Sequence, residues 1–146
     1  MTARGDIAFD PEAALARLVK ELTDPPFHDV LKPQAVSVDS DASVVVRLSF
    51  RPEFARGRQS PFYHGGVIAS LADIAAHATI AVRVGRMVPT IDLRVDYLRA
   101  APAGDLTATG RILTVGRSIG RADVEIIGSE GKIVAVARGA FSTLEK

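Results

Sequence analysis

The chain has 146 residues, of which 47% are hydrophobic and 24% are charged. A chain of this length and composition buries roughly two-thirds of its unfolded surface, which is enough for one globular core. Eighteen basic and seventeen acidic residues give a net charge of +1, without the runs of like charge that nucleic-acid binding favours. We therefore predict a single domain over residues 1–146 that does not bind nucleic acid.

The sequence contains no cysteine, which excludes disulfides, zinc–thiolate sites and a cysteine nucleophile. The first ten residues lack the apolar run of a signal peptide, and the longest apolar stretch, Val67 to Val84, is interrupted by the ionisable residues Asp73, His77 and Arg83. We therefore expect a soluble cytoplasmic protein that does not insert into a membrane. Fourteen of the basic residues are Arg, a residue type that indicates an anionic ligand such as a carboxylate or phosphate.

The N-terminal third predicts a short helix followed by a hairpin. Residues Asp10–Glu12 supply an N-cap, a proline at the first helical position and an acid in the first turn. We predict an amphipathic helix over about residues 11–22, which ends where an Asp-Pro-Pro segment disfavours the helical backbone. Two runs rich in β-forming residues, Gln34–Asp39 and Ser43–Phe50, predict the hairpin.

Residues 65 to about 82 are apolar on nearly every side and predict a helix buried in the middle of the fold. Beyond Gly85 the hydrophobic residues recur with a period of two. This alternation predicts four strands, around Ile91–Tyr97, Leu106–Val115, Ile119–Ile127 and Ile133–Phe141. Their short links predict an antiparallel meander. Small residues at Ala135, Ala137 and Gly139 would let the helix approach the last strand closely.

One long buried helix and about six strands indicate an α+β fold in which a curved antiparallel sheet wraps around the helix. Three polar residues of that helix, Ser70, Asp73 and His77, are spaced at i, i+3 and i+7 and share one stripe. Burying a carboxylate is costly unless it is paired or functional. Asp73 therefore either pairs with His77 as a structural unit or does chemistry. A metal site is geometrically possible but less favoured, because no second His or carboxylate motif accompanies this pair.

His64, Gly65 and Gly66 stand immediately before this helix. Two glycines at a helix start let a ligand approach the backbone, where unpaired N–H groups carry the positive end of the helix dipole. Such a site polarises a carbonyl or holds an oxyanion. The alternative is an ordinary tight turn that leads into the helix.

Two segments together carry a family resemblance. Residues His64–Asp73, with the sequence HGGVIASLAD, are followed by Thr90–Arg99, with the sequence TIDLRVDYLR. This combination resembles the hotdog-fold acyl-CoA thioesterases of the phenylacetic-acid-degradation type. The similarity covers about Phe62 to Phe141 and includes Gly116–Gly120. It implies the hotdog fold, in which a curved antiparallel sheet wraps around a long central helix, and hydrolysis of an acyl-CoA thioester.

The resemblance also implies roles for individual residues. The family's catalytic carboxylate corresponds to Asp73, and its carbonyl-polarising backbone N–H corresponds to Gly65. Thr90 occupies the position of a Ser or Thr that orients the attacking water, and His64 matches a histidine with a supporting role. The family commonly has Asn or Gln six residues before that histidine. Arg58 occupies that position here, so either a shift of one residue lets Gln59 serve, or the protein handles its thioester differently.

Coenzyme A carries phosphates, so cationic residues are expected near the mouth of the site. Arg99, Arg117 and Arg121 are the candidates from the later strands and turns, and Arg117 is favoured because it follows Gly116 in a turn. We expect no cofactor and no metal. The acyl group, whether aryl or a short or medium aliphatic chain, is left open, as is the choice of Asp73 as base or nucleophile.

Gly65 and Asp73 are eight residues apart, so their backbones are separated by about 12 Å along one helix. They cannot easily converge on one carbonyl within a single chain. A two-fold dimer with antiparallel central helices would bring Gly65 of one chain to Asp73 of the other. The resemblance implies such dimers, often paired into tetramers. Two other functions stay open, namely a non-catalytic acyl-CoA-binding protein and, with less support, a hotdog enoyl-CoA hydratase.

Overall fold

The computed structural model describes residues 9–145, so the first eight residues and Lys146 of the predicted domain lie outside the described part. The described residues form three helices and six strands. The helices are α1 (Pro11–Thr23), α2 (His28–Leu31) and α3 (Gly65–Val84), and the strands are β1 (Gln34–Val38), β2 (Val44–Leu48), β3 (Thr90–Tyr97), β4 (Leu106–Val115), β5 (Ile119–Ile127) and β6 (Ile133–Ser142). A 3₁₀ turn, Pro52–Phe54, lies between β2 and α3.

Helix α1 begins as its N-terminal residues predict. The Asp10 side chain accepts hydrogen bonds from the backbone N–H groups of Glu12 and Ala13, which satisfies two otherwise unpaired donors of the first turn. Leu18 and Leu22 are buried, and the helix packs against β1 and α3. The predicted amphipathic helix is therefore confirmed.

The six strands form one antiparallel sheet with the order β1-β2-β4-β5-β6-β3. The predicted β1–β2 hairpin and the β4–β5–β6 meander are confirmed, but the prediction that β3 continues into this meander is wrong. Strand β4 pairs with β2, so β3 is left to pair with β6 at the far edge. The link from 98 to 105 connects β3 at one edge of the sheet to β4 in its middle. The Tyr63 N–H donates to the Ala101 carbonyl at 2.9 Å and so anchors this link.

Helix α3 lies across the concave face of the sheet and packs against five strands, from β2 to β6. Small residues permit this approach. A Cβ atom on Gly110 would lie 2.0 Å from Thr79 Oγ1, and one on Gly139 would lie 3.2 Å from the Ala76 Cβ. The predicted close approach of the helix to β6 is therefore confirmed. Although α3 is apolar and long enough to cross a membrane, the sheet covers it as the core helix.

Within the described residues 9–145, two surfaces of this unit are left uncovered. The stripe of α3 that faces away from the sheet consists of small and polar residues, among them Gly66, Ser70 and Asp73, of which none is fully buried. Strand β3 has a neighbour on one side only within residues 9–145, and none of its eight residues is fully buried. The open strand edge and the open helix stripe lie next to each other.

Candidate active site

The first candidate group is the start of α3. His64 is the N-cap in an extended conformation, and its Nδ1 accepts a hydrogen bond of 2.8 Å from the Gly66 N–H. A neutral His64 therefore carries its proton on Nε2. The Gly65 N–H has no acceptor among the described residues, and no acidic side chain occupies the first turn. A free donor thus lies at the positive end of a 20-residue helix.

Tyr97, which the sequence reasoning did not select, fixes this helix start to β3. Its hydroxyl donates to the Gly65 carbonyl at 2.7 Å, and its ring lies 3.5 Å from where a Cβ on Gly65 would be. The signal was present in the sequence, because the period-two alternation places Tyr97 on the same strand face as Leu93 and Val95, toward the helix.

The second candidate group is Asp73, which is half-buried rather than buried because it lies on the stripe of α3 that faces away from the sheet. Its Oδ1 accepts a hydrogen bond of 3.0 Å from the Thr90 hydroxyl at the start of β3. The structure thus brings together two of the predicted site residues. The structural alternative, in which Asp73 pairs with His77, is not observed, because each side chain bonds another partner.

His77 instead connects α3 to its surroundings. Its Nε2 accepts a hydrogen bond from the Val88 N–H at 3.3 Å, and its Nδ1 lies 3.9 Å from Oε2 of the buried Glu21 on α1. Burial lowers the pKa of His77 below its usual value, although the carboxylates of Glu21 and Asp73 act in the opposite direction. A neutral imidazole agrees with the acceptor role of Nε2. His77 therefore belongs to the packing of α1 on α3.

The two candidate groups lie at opposite ends of the α3–β3 contact. Gly65 meets Tyr97, the last residue of β3, whereas Asp73 meets Thr90, the first. These contacts are separated by about 12 Å along the helix. One chain therefore holds a donor group and a carboxylate group that do not meet each other.

Gln59 and Arg58 lie in the ordered loop that precedes α3. An isolated bridge between Ala55 and Tyr63 closes the loop, and the Ser60 N–H donates to the Gly57 carbonyl at its tip. Gln59 is exposed there, with a left-handed φ of 60°, and its side chain bonds none of the described residues. The structure does not bring Gln59 into contact with either candidate group, so its role stays a prediction.

The three predicted phosphate-binding arginines lie in three different places. Arg99 lines a groove beside Gly65 and Tyr97. Arg117 is exposed in the turn between β4 and β5. This turn lies near the start of β3, because its Ser118 carbonyl accepts a hydrogen bond from the Thr143 N–H at the end of β6. Arg121 lies on the outer face of the sheet, because its neighbours along β5 are buried toward the helix. The structure brings only Arg99 next to Gly65.

No group of three metal-ligating side chains occurs within residues 9–145. The arrangement offers hydrogen-bond donors to a carbonyl oxygen at one end and a carboxylate with an attached hydroxyl at the other. A donor aimed at a carbonyl and a carboxylate that activates water are the requirements of acyl transfer to water.

Comparison with known proteins identifies the family. Residues 61–135 match the model of the thioesterase superfamily. A Halobacterium salinarum protein described only as a candidate esterase is 32% identical over 146 residues, which cover 91% of this chain and 94% of its own. Escherichia coli acyl-coenzyme A thioesterase PaaI is 35% identical over 105 residues, 71% of this chain and 72% of PaaI. E. coli medium/long-chain acyl-CoA thioesterase YigI is 39% identical over 94 residues, 53% of this chain and 60% of YigI.

The structure of E. coli PaaI, a protein of the phenylacetic acid degradation operon, superimposes with a TM-score of 0.81 at 25% identity. The superposition covers 92% of this chain and 96% of PaaI. The fold and these matches define the class of hotdog-fold thioesterases, which are hydrolases. The chain belongs to the thioesterase superfamily, and its resemblance to the phenylacetic-acid-degradation type is confirmed.

Proposed function

We propose that the protein hydrolyses acyl-CoA thioesters to a free acid and coenzyme A. The observation that carries this proposal is the unpaired Gly65 N–H at the positive end of α3, together with a carboxylate on the same open stripe. The names of PaaI and YigI as acyl-CoA thioesterases support the choice of substrate. The acyl-CoA therefore binds with its carbonyl oxygen toward Gly65.

The chemistry follows from these groups. The Gly65 N–H donates to the thioester oxygen and stabilises the negative charge that develops as the carbonyl carbon becomes tetrahedral. Asp73, held by Thr90, either takes a proton from the attacking water or attacks the carbonyl itself. In the first route the C–O bond to water replaces the C–S bond, and the departing thiolate of coenzyme A receives the proton that Asp73 took. In the second route the C–O bond to Asp73 replaces the C–S bond; water then hydrolyses the mixed anhydride, which releases the acid, regenerates Asp73 and supplies the proton to the thiolate. His64 supports this geometry as the N-cap of α3.

The active form is a dimer with shared sites. Gly65 and Asp73 are about 12 Å apart on one rigid helix, so the carboxylate that serves a thioester at Gly65 comes from Asp73 of the partner subunit. The unpaired edge of β3 supports this assembly, because an exposed edge strand readily pairs with another strand. The adjacent stripe of small residues on α3 lets a second helix approach across the two-fold axis. Pairing of dimers into tetramers is compatible with this arrangement.

Steady-state assays of the purified protein over a panel of acyl-CoA esters test the proposal, with the released thiol as the readout. We expect saturable hydrolysis of at least one ester. Saturable binding without thiol release would contradict the proposal in favour of a non-catalytic acyl-CoA-binding protein. Loss of enoyl absorbance without thiol release would favour the hydratase.

A further inference from the structure

The start of α3 separates two grooves of different chemistry. On one side, a groove of about 300 Å³ beside Gly65 is lined by Arg56 and Arg99, and we call it the basic groove. On the other side, a groove of about 490 Å³ reaches His64 and Gly66, and we call it the apolar groove. Most of its lining side chains are apolar, namely Phe27, Val30, Leu31, Phe54, Ala55 and Val67, and the polar side chains of Arg51, Glu53 and Ser70 also line it.

The basic groove is suited to an anion. Neither Arg56 nor Arg99 forms an ion pair with any residue of the described part of the chain. Arg56 lies over the ring of Phe62, with its guanidinium carbon 4.4 Å from the ring centre. This stacking holds the guanidinium in place without neutralising its charge.

The apolar groove is suited to a hydrocarbon chain. Phe27 is 55% exposed and Val30 is 59% exposed, so two large apolar side chains lie uncovered at its rim. Arg51 donates to the Val30 carbonyl and stacks on Phe54, which ties α2 to the 3₁₀ turn and holds the two walls together. The Ser70 hydroxyl donates a hydrogen bond of 2.8 Å to the Gly66 carbonyl, so its donor is already satisfied when a hydrocarbon chain lies beside it.

We infer that the acyl group is a medium-length aliphatic chain that lies in the apolar groove, while the phosphates of coenzyme A lie in the basic groove. The inference rests on the proposed function, because it takes the thioester carbonyl to lie at Gly65 between the two grooves. An acyl-CoA is chemically matched to these two grooves. Its anionic coenzyme A portion lies on one side of the thioester carbonyl and its hydrocarbon chain on the other. An acetyl group would leave most of a 490 Å³ groove empty.

A chain-length series on saturated acyl-CoA esters from two to twelve carbons tests the apolar groove, with phenylacetyl-CoA as the aryl comparison. We expect kcat/KM to rise by up to about fourfold per added methylene, which corresponds to ~0.8 kcal/mol per buried CH₂, until the groove is full. Equal kcat/KM for short and medium chains, or a preference for the aryl ester over every aliphatic ester, would overturn the inference.

Two variants locate the effect in the structure. Val30→Asn places an amide at the exposed rim and should weaken the dependence of kcat/KM on chain length. Val67→Phe should reduce kcat/KM for the longer chains more than for acetyl-CoA. Val19→Asn is the matched control, because Val19 is an exposed valine of α1 that does not line the groove. An unchanged profile in both groove variants would overturn the inference, as would loss of the dimer in Val30→Asn, which would identify the groove as a contact between copies.

The basic groove is tested with the same acyl group on coenzyme A and on pantetheine, which lacks the phosphates. Arg56→Gln and Arg99→Gln should shrink the KM advantage of the CoA ester several-fold. An unchanged ratio in both variants would refute this half of the inference. The proposed function fails separately, because it requires only that wild-type protein hydrolyse some acyl-CoA, whatever the grooves prefer.

Discussion

The two ends of the α3–β3 contact differ in chemistry although they are built alike. At each end a hydroxyl of β3 donates a hydrogen bond to α3, from Tyr97 to the Gly65 carbonyl and from Thr90 to the Asp73 carboxylate. The first end presents a backbone donor and a positive helix dipole, whereas the second presents a negative charge. A carbonyl would be polarised at one end and attacked at the other. In the proposed mechanism, each chain therefore carries two halves of a site rather than one whole site.

The separation between the halves is a rigid property of the fold. Helix α3 is packed against five strands, and ten of its residues are buried, so it cannot bend to bring Gly65 and Asp73 together. Motion of β3 does not change this separation, because Gly65 and Asp73 both lie on α3. The comparison therefore predicts that damage at either end abolishes the same reaction for different chemical reasons.

The largest effect is expected for Asp73→Asn. The amide keeps the shape of the side chain but removes the base or nucleophile, so kcat should fall by about 100- to 10,000-fold. Circular dichroism and thermal melting should show an intact fold. The control is Asp92→Asn, which changes an exposed carboxylate on the outer face of the sheet and should leave kcat within a few-fold. Near-wild-type turnover by Asp73→Asn would refute the carboxylate role.

Gly65→Pro removes the N–H at the other end. The backbone tolerates this change, because His64 has the extended φ and ψ, −66° and 136°, that a residue before proline prefers, and proline is suited to the first helical position. We expect kcat to fall by about 100- to 1,000-fold, the usual effect of losing an oxyanion donor.

Gly65→Ala is the matched control for this proline variant, because it keeps the N–H, and its Cβ would meet Tyr97 at an ordinary 3.5 Å. It should keep most of the activity. Equal activities of the alanine and proline variants would show that the Gly65 N–H does not bind the thioester oxygen. A co-structure with a substrate analogue whose carbonyl lies far from this N–H would show the same.

Thr90→Val tests how Asp73 is held. The methyl group replaces the hydroxyl at nearly constant volume, so the carboxylate loses a hydrogen bond of the kind that contributes about 1.5–3 kcal/mol. We expect kcat to fall by about 10- to 100-fold, with dimer formation unchanged in sedimentation. Thr90→Ser restores a hydroxyl and should restore most of the rate. A serine variant as slow as the valine variant would argue that Thr90 acts through packing alone.

Tyr97→Phe should give the smallest effect. The variant keeps the ring against Gly65 and removes only the bond to its carbonyl, a neutral hydrogen bond that contributes about 0.5–1.5 kcal/mol. We expect kcat to fall by roughly two- to tenfold with little change in KM, because Tyr97 orients the helix start and does not bind substrate. A change confined to KM, or to thermal stability, would contradict this positioning role.

The sequence predicted those features that depend on local pattern. The α3 helix follows from its apolar residues, the stripe with Asp73 from helical spacing, and the β1–β2 hairpin from two adjacent runs. The position of β3 in the sheet could not be predicted in this way. The edge of β4 that β3 would need pairs instead with β2, which is distant in sequence, so β3 pairs with β6. The side chain of Arg121 points away from the helix, because side chains alternate along β5 and the neighbouring Ala122 is buried. This alternation was available in the sequence but was not used to place Arg121.

The role of Tyr97 shows a second limit. Alternation indicates which face of β3 the ring is on, but only the folded chain shows that its hydroxyl meets the Gly65 carbonyl, which is 32 residues away in sequence. The basic groove is similar, since Arg56 comes from the loop before α3 and Arg99 from the link after β3. Contacts between residues distant in sequence decide which charges share a groove.

Complementation between two inactive chains tests the shared site most directly. Gly65→Pro and Asp73→Asn chains, mixed in equal amounts under conditions that exchange subunits, form mixed dimers with one doubly defective site and one intact site. Random exchange should restore roughly a quarter of the wild-type activity, because half of the dimers are mixed and each mixed dimer has one intact site of two. No recovery, despite mixed dimers seen by native mass spectrometry, would contradict the account, as would full activity from a verified monomer.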